Sequence, residues 1–119
     1  MLGQFRDSFP RVLLTLPGTA GPVPIEFIID TGFEGELALP SSVVQQLNVQ
    51  FAGREIFALA DASLSERVLY KLFLEWDEEP RLVEVLVLDG NPLLGTLFLR
   101  DHYLQVEMRE GGEVVIEPL

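Results

Sequence analysis

Short apolar runs, each ended by glycine, proline or a small polar residue, constrain this chain more than any other feature. The runs are rich in Val, Ile, Leu and Phe and fall at Arg11 to Leu16, Val23 to Asp30, Glu36 to Leu39, Val49 to Ala60, Glu66 to Trp76, Leu82 to Leu88, Tyr103 to Met108 and Glu113 to Glu117. Between them lie Pro17-Gly18-Thr19-Ala20-Gly21-Pro22, Asp77-Glu78-Glu79-Pro80, Gly90-Asn91-Pro92 and Gly111-Gly112, whose glycines and prolines supply the backbone angles that turns demand. Runs this short, with gaps this small, predict an all-β sandwich or barrel. Helix signals are confined to two places. Ser41 or Ser42 opens one or two turns through Val43, Val44 and Leu47 to Asn48, and Thr96 opens another through Leu97, Phe98 and Leu99 to Arg100.

A length of 119 residues allows one domain, spanning 1–119 with its core at about 11–117, and is short for two. Nineteen Asp and Glu against eight Lys and Arg leave a net charge of −11, which opposes a phosphate-tracking surface and predicts no nucleic-acid partner. The absence of cysteine removes disulfides, thiol nucleophiles and thiolate metal sites, and fits a reducing compartment. Met1 to Pro10 carries Arg6 and Asp7 and no apolar stretch of signal-peptide length. Runs such as Val85 to Leu88 are far below the roughly 20 residues of a membrane helix, so the reading is of a cytoplasmic protein without a membrane partner.

Elimination then narrows the chemistry. The single histidine, His102, cannot build a His-rich zinc site and reads as a partly exposed residue between a helix end and a strand. No serine stands in a Gly-x-Ser-x-Gly elbow, phosphate-binding glycine loops are absent, and the one lysine, Lys71, lies within a strand pattern. Carboxylate chemistry remains. Asp30 ends the apolar run Val23 to Ile29 and is followed at once by Thr31 and Gly32. Delivering a carboxylate from a buried strand into a tight turn is costly, which points to function. The structural alternative is an Asx turn, with Asp30 bonding the backbone two residues later.

Downstream, Val85-Leu86-Val87-Leu88 leads through Gly90-Asn91-Pro92 to Leu93-Leu94-Gly95 and the second short helix, 63 residues separating Gly32 from Gly95. In these two features and their order the chain resembles the retropepsin-like, single-domain aspartic proteases, over roughly Arg11 to Met108. The resemblance implies a closed acid-protease barrel with one or two short helices that forms a two-fold homodimer. It implies an aspartic endopeptidase in which Asp30 of each subunit meets its mate at the axis, the pair sharing one proton and activating water, with no metal or organic cofactor. It further implies that Thr31 bonds across the axis and that Gly32 lets the backbone approach an extended polypeptide substrate. Leu93, Leu94 and Gly95 would pack beneath the active turn, and Ala60, Asp61, Ala62 and Ser63 would tip a flap over the substrate; an ordinary hairpin turn uses the same tip residues. Chain ends often pair between subunits in this family, which makes Val114-Val115-Ile116 a candidate interface strand, or else an edge strand within one subunit.

Two positions depart from the family pattern. Phe33 follows Asp-Thr-Gly where a small Ala or Ser is common, so no hydroxyl supports the carboxylate and activity nearer neutral pH is implied. Ala62 stands at the flap tip where glycine would be more mobile. Two other functions are open to the same residues. Asp30, Glu34 and Glu36 offer oxygen ligands to calcium or magnesium, although strand alternation sends Glu34 and Glu36 to solvent. The domain also suits a catalytically inactive dimerisation or peptide-binding module. Finally, a faint internal echo links the strand running into Asp30-Thr31-Gly32 with the strand running into Asp89-Gly90.

Overall fold

The computed structural model describes residues 1–119 as ten strands and two one-turn helices. They are β1 (Leu2–Arg6), β2 (Phe9–Gly18), β3 (Gly21–Ile29), β4 (Leu37–Leu39), α1 (Ser41–Val44), β5 (Gln50–Ala58), β6 (Leu64–Trp76), β7 (Glu79–Val87), β8 (Leu93–Leu94), α2 (Thr96–Leu99), β9 (His102–Val106) and β10 (Glu113–Pro118). The strands form one sheet in the order β5-β6-β7-β4-β8-β3-β2-β1-β10-β9.

Alternation sets which side chains go inward. Val12, Leu14 and Leu16 of β2 and Ile25, Phe27 and Ile29 of β3 are buried, whereas Leu13 between them is exposed. One cluster of 18 buried residues draws on strands from both halves of the sheet and on both helices. The sheet therefore curls round a single core, with Phe27, Phe98, Leu37, Leu39 and Leu94 enclosed at its centre. The edges β5 and β9 do not meet, so the closed barrel implied by the sequence is not present as a closed ladder.

Met1 to Pro10 holds a strand that the sequence signals did not reveal. Asp7 and Ser8 take φ of 51° and 72° between the paired residues Arg6 and Phe9, the geometry of a two-residue type I′ hairpin without its usual glycine. Because β1 pairs with β10, and β9 covers the other side, Val114-Val115-Ile116 has both backbone edges satisfied inside one chain. It is an interior strand, neither an edge nor a strand free to pair between subunits. Leu93-Leu94 likewise forms a strand of its own rather than only a lead into the helix.

The β6–β7 turn repeats the unusual choice, with φ of 53° at Asp77 and 64° at Glu78. Left-handed backbone strains a residue bearing a Cβ, so Glu78→Gly is expected to stabilise the fold by about 0.5 to 1 kcal/mol. A higher urea midpoint at unchanged slope is the measurement.

At the centre of the sheet, β3 runs parallel to β8 and β4 parallel to β7, while β4 and β8 are antiparallel. Exchanging β3 with β7 and β4 with β8 reproduces the same pairing. Each outer strand of this quartet ends in a loop at one crossing point, and Asp30 occupies the first.

Candidate active site

Ile29 pairs with Leu94, and the Asp30 N–H donates to the Leu94 carbonyl at 2.9 Å, so β8 holds the backbone from which the carboxylate projects. Asp30 Oδ1 accepts the Gly32 N–H at 2.9 Å, and Phe33 N–H donates to the Asp30 carbonyl at 3.1 Å. The Asx turn is formed, and the half-buried carboxylate stands at its head beside exposed Thr31. A Cβ on Gly32 would lie 3.2 Å from Asp30 Oδ1, so the bare α-carbon keeps that oxygen uncrowded.

The start of α2 clasps this turn from below. Gly95 N–H donates to the Glu36 carbonyl, Thr96 N–H to the Phe33 carbonyl and Leu97 N–H to the Gly35 carbonyl, at 2.9, 2.9 and 3.2 Å. Thr96 Oγ1 adds a bond to the Phe33 carbonyl at 3.1 Å instead of capping the helix. Gly95 is buried, and a Cβ there would stand 2.2 Å from the Gly35 oxygen and 2.6 Å from the Phe33 oxygen. Asp30 to Phe33 and Leu93 to Gly95 are thus one packed unit. Thr96 belongs to it and reads in the sequence only as a helix start.

The internal echo has a structural counterpart shifted by one residue. Leu88 N–H donates to the Leu39 carbonyl at 3.0 Å, as Asp30 N–H does to Leu94. Under the exchange of strands Leu88 takes the place of Asp30, Asp89 that of Thr31 and Gly90 that of Gly32. One chain thus carries a carboxylate at one crossing point and an aliphatic residue at the other.

The β5–β6 hairpin projects from the body, and none of the nine residues of β5 is buried. Its ladder is interrupted by a bulge between Phe51 and Gly53, and it ends short of the Ala60 predicted from sequence. At the tip, Leu59 N–H donates to the Ser63 carbonyl, and Ala62 takes a φ of 67°. Asp61 accepts from the Ser63 hydroxyl and N–H, which hold its carboxyl below the usual range. The predicted tip, Ala60 to Ser63, makes no hydrogen bond to the Asp30 turn. The hairpin stem does share a space with it. Glu55 and Phe57 line a cleft of about 260 Å³ together with Phe33, Glu34, Leu69, Glu84, Leu86 and Leu97. Alternation puts Glu55 and Phe57 on one face of β5, but only the register reveals which face meets Phe33.

Glu36 is half-buried, against the solvent position expected of it: its carboxylate pairs with Arg81 at 3.2 Å and accepts the Glu84 N–H at 3.1 Å. Asp30, Glu34 and Glu36 do not gather into a cation-holding group. Arg81 also lies 4.1 Å over the Phe98 ring and donates to the Phe98 carbonyl, fixing α2 against β7. His102 Nε2 accepts the Trp76 indole N–H at 2.8 Å, and its Nδ1 lies 2.8 Å from the Arg100 carbonyl. It lines an adjoining open cleft of about 700 Å³ that shares Glu36, Glu84 and Leu97 with the first but whose walls include none of Asp30 to Gly35.

On the outer face of β3, Glu26 receives Arg6 and Arg11. The hydrogen bond from Arg6 is the main cause that holds the Glu26 carboxyl below its ordinary value of 4.5. A lowered carboxyl stabilises the fold above that value, and the contribution is lost as pH falls through the lowered one. Wild type should therefore exceed Glu26→Gln slightly in stability at pH 7, the pair being exposed, and the difference should close below about pH 4. Thermal unfolding across that range measures it.

No helix is long and apolar enough to cross a membrane. Comparison with protein-family models, with curated proteins and with solved structures finds no match to this chain.

Proposed function

We propose that this chain is one subunit of a homodimeric aspartic endopeptidase of the retropepsin-like kind, and that two copies complete a shared active site. The observation that carries the reading is the Asp30 turn: a carboxylate at the head of a strand crossing, braced from below by Gly95 and Thr96, with Leu88 at the equivalent crossing. Peptide hydrolysis by carboxylates needs two at close range, and this chain supplies one. A two-fold axis beside Asp30 brings in the second, the commonest way for a small chain to double a site. In the dimer the two curled sheets provide the two walls of the substrate groove that the family builds from its barrels.

The chemistry then runs through the pair. The ionised Asp30 takes a proton from water as its oxygen attacks the peptide carbonyl carbon, while the protonated Asp30 hydrogen-bonds the carbonyl oxygen. Collapse of the tetrahedral intermediate breaks the carbon–nitrogen bond, and the leaving amine receives the proton. Thr31 of each subunit ties the two turns together, and the exposed β5–β6 hairpin folds over an extended polypeptide, adding strand-like bonds. No residue of β5, nor of β6 before Leu69, is buried, so the outer part of that hairpin opens at low free-energy cost.

The test mixes wild type with Asp30→Asn protein and follows cleavage of a peptide library. A shared site makes the mixed dimers inactive, so an equal mixture at fixed total protein keeps about a quarter of the wild-type rate. About half would remain if each chain worked alone, and that result would sink the shared site. Binding of extended peptides without cleavage of any of them would favour the inactive peptide-binding module instead.

A further inference from the structure

We infer that the cleft beside Phe33 selects a basic side chain, lysine or arginine, in the substrate; the inference rests on the endopeptidase reading for its setting and on the cleft itself for its chemistry. The cleft touches the active turn directly, since Phe33 lies three residues after Asp30 and its N–H bonds the Asp30 carbonyl. Its apolar walls include Phe33 from the turn, Phe57 from the hairpin stem and Leu97 from α2, which suit a methylene stem. Glu34, Glu55 and Glu84, all exposed, line the same space and no lysine or arginine does, while Glu84 also borders the adjoining cleft that holds Arg81 and Arg100. A fourth carboxylate, Glu36, is already paired with Arg81.

The other three form no ion pair. Arg67 stands across the ladder from Glu55, and Lys71 from Glu84, but neither contributes to the walls. A volume of about 260 Å³ holds one long side chain. An apolar stem capped by a cation satisfies both kinds of wall, an aliphatic side chain satisfies one, and an acidic side chain is repelled. The hairpin stem contributes to the charge as well as to the wall, so closure of the hairpin and recognition of the basic residue are coupled.

The experiment uses peptide series in which one residue at a time is lysine, norleucine or glutamate, norleucine matching the lysine stem without its charge. Wild-type kcat/KM should favour lysine over norleucine by about tenfold at one position. In the Glu55→Gln/Glu84→Gln variant that ratio should fall toward one, and raising the salt should shrink it in wild type. Binding of the same peptides to Asp30→Asn protein, read by fluorescence anisotropy, separates this inference from the endopeptidase reading. Lysine-selective binding that depends on Glu55 and Glu84, without cleavage by wild type, would support the cleft and overturn the enzyme. Cleavage with no lysine preference, or with a preference that the double variant keeps, would overturn the cleft and leave the enzyme standing. Neither binding nor cleavage of any peptide would overturn both.

Discussion

Asp30→Asn is expected to abolish peptide cleavage while the fold and the dimer persist. An amide cannot take a proton from water, and in a two-fold site the substitution removes both carboxylates at once. General acid–base catalysis contributes about 10² to 10⁴-fold, so a loss of at least about 10³-fold is expected in the cleavage of a peptide mixture followed by mass spectrometry. The turn itself should survive. The bond from Gly32 N–H to Asp30 Oδ1 at 2.9 Å can be accepted equally by the Oδ1 of asparagine. An unchanged thermal midpoint and an unchanged sedimentation coefficient would confine the effect to chemistry. Wild-type cleavage rates in the variant would remove Asp30 from the mechanism.

Gly95→Ala should strongly destabilise the packing between the Asp30 turn and α2. The added Cβ would meet the Gly35 oxygen at 2.2 Å, the Phe33 oxygen at 2.6 Å and the Phe33 ring at 2.7 Å. Two of these neighbours are backbone atoms held by the bonds from Leu97 and Thr96, so relief requires the turn and α2 to part. Overpacking of this kind costs about 3 kcal/mol, which for a domain of this size lowers the melting temperature by roughly 10 °C. Activity should fall further than stability, because Phe33 is tied to Asp30. Gly35→Ala is the comparison: the three atoms nearest its Cβ would all belong to the ring of Phe33, a side chain rather than backbone. Equal stability of the two variants would contradict the clasp.

Most of the strands were legible, and the reasons are local. In β2 and β3 alternating aliphatic residues mark the buried face, and Gly18 and Gly21 mark the hairpin between them. What escaped depended on residues that do not advertise their backbone. Asp7 and Ser8 make a tight hairpin turn without glycine, so β1 was hidden, and with it the interior position of β10. The sequence signals run the first helix to Asn48, but it stops at Val44, and Leu47 bridges to Gly18 while Asn48 bonds the same loop. Helix propensity gave way there to a tertiary contact. Of the candidate site, the Asp30-Thr31-Gly32 turn is legible because turns demand particular residues, whereas Gly95 is reached only through the family resemblance. Thr96, Glu55, Phe57 and Glu84 are not legible, because they matter through contacts set by strand register.

By itself the sequence determined the all-β class, the one-domain size, the acidic balance and the carboxylate at the end of a buried strand. These follow from period, length, charge and turn chemistry, which act over a few residues. Only the tertiary structure decided that the sheet curls without closing, that Leu88 stands at the strand crossing equivalent to that of Asp30, and that Glu36 is spent on Arg81 while Glu34, Glu55 and Glu84 line one cleft. Those outcomes depend on which strand lies beside which and in what register, and residues as far apart as Phe33, Glu55 and Leu97 meet only when the whole core has formed.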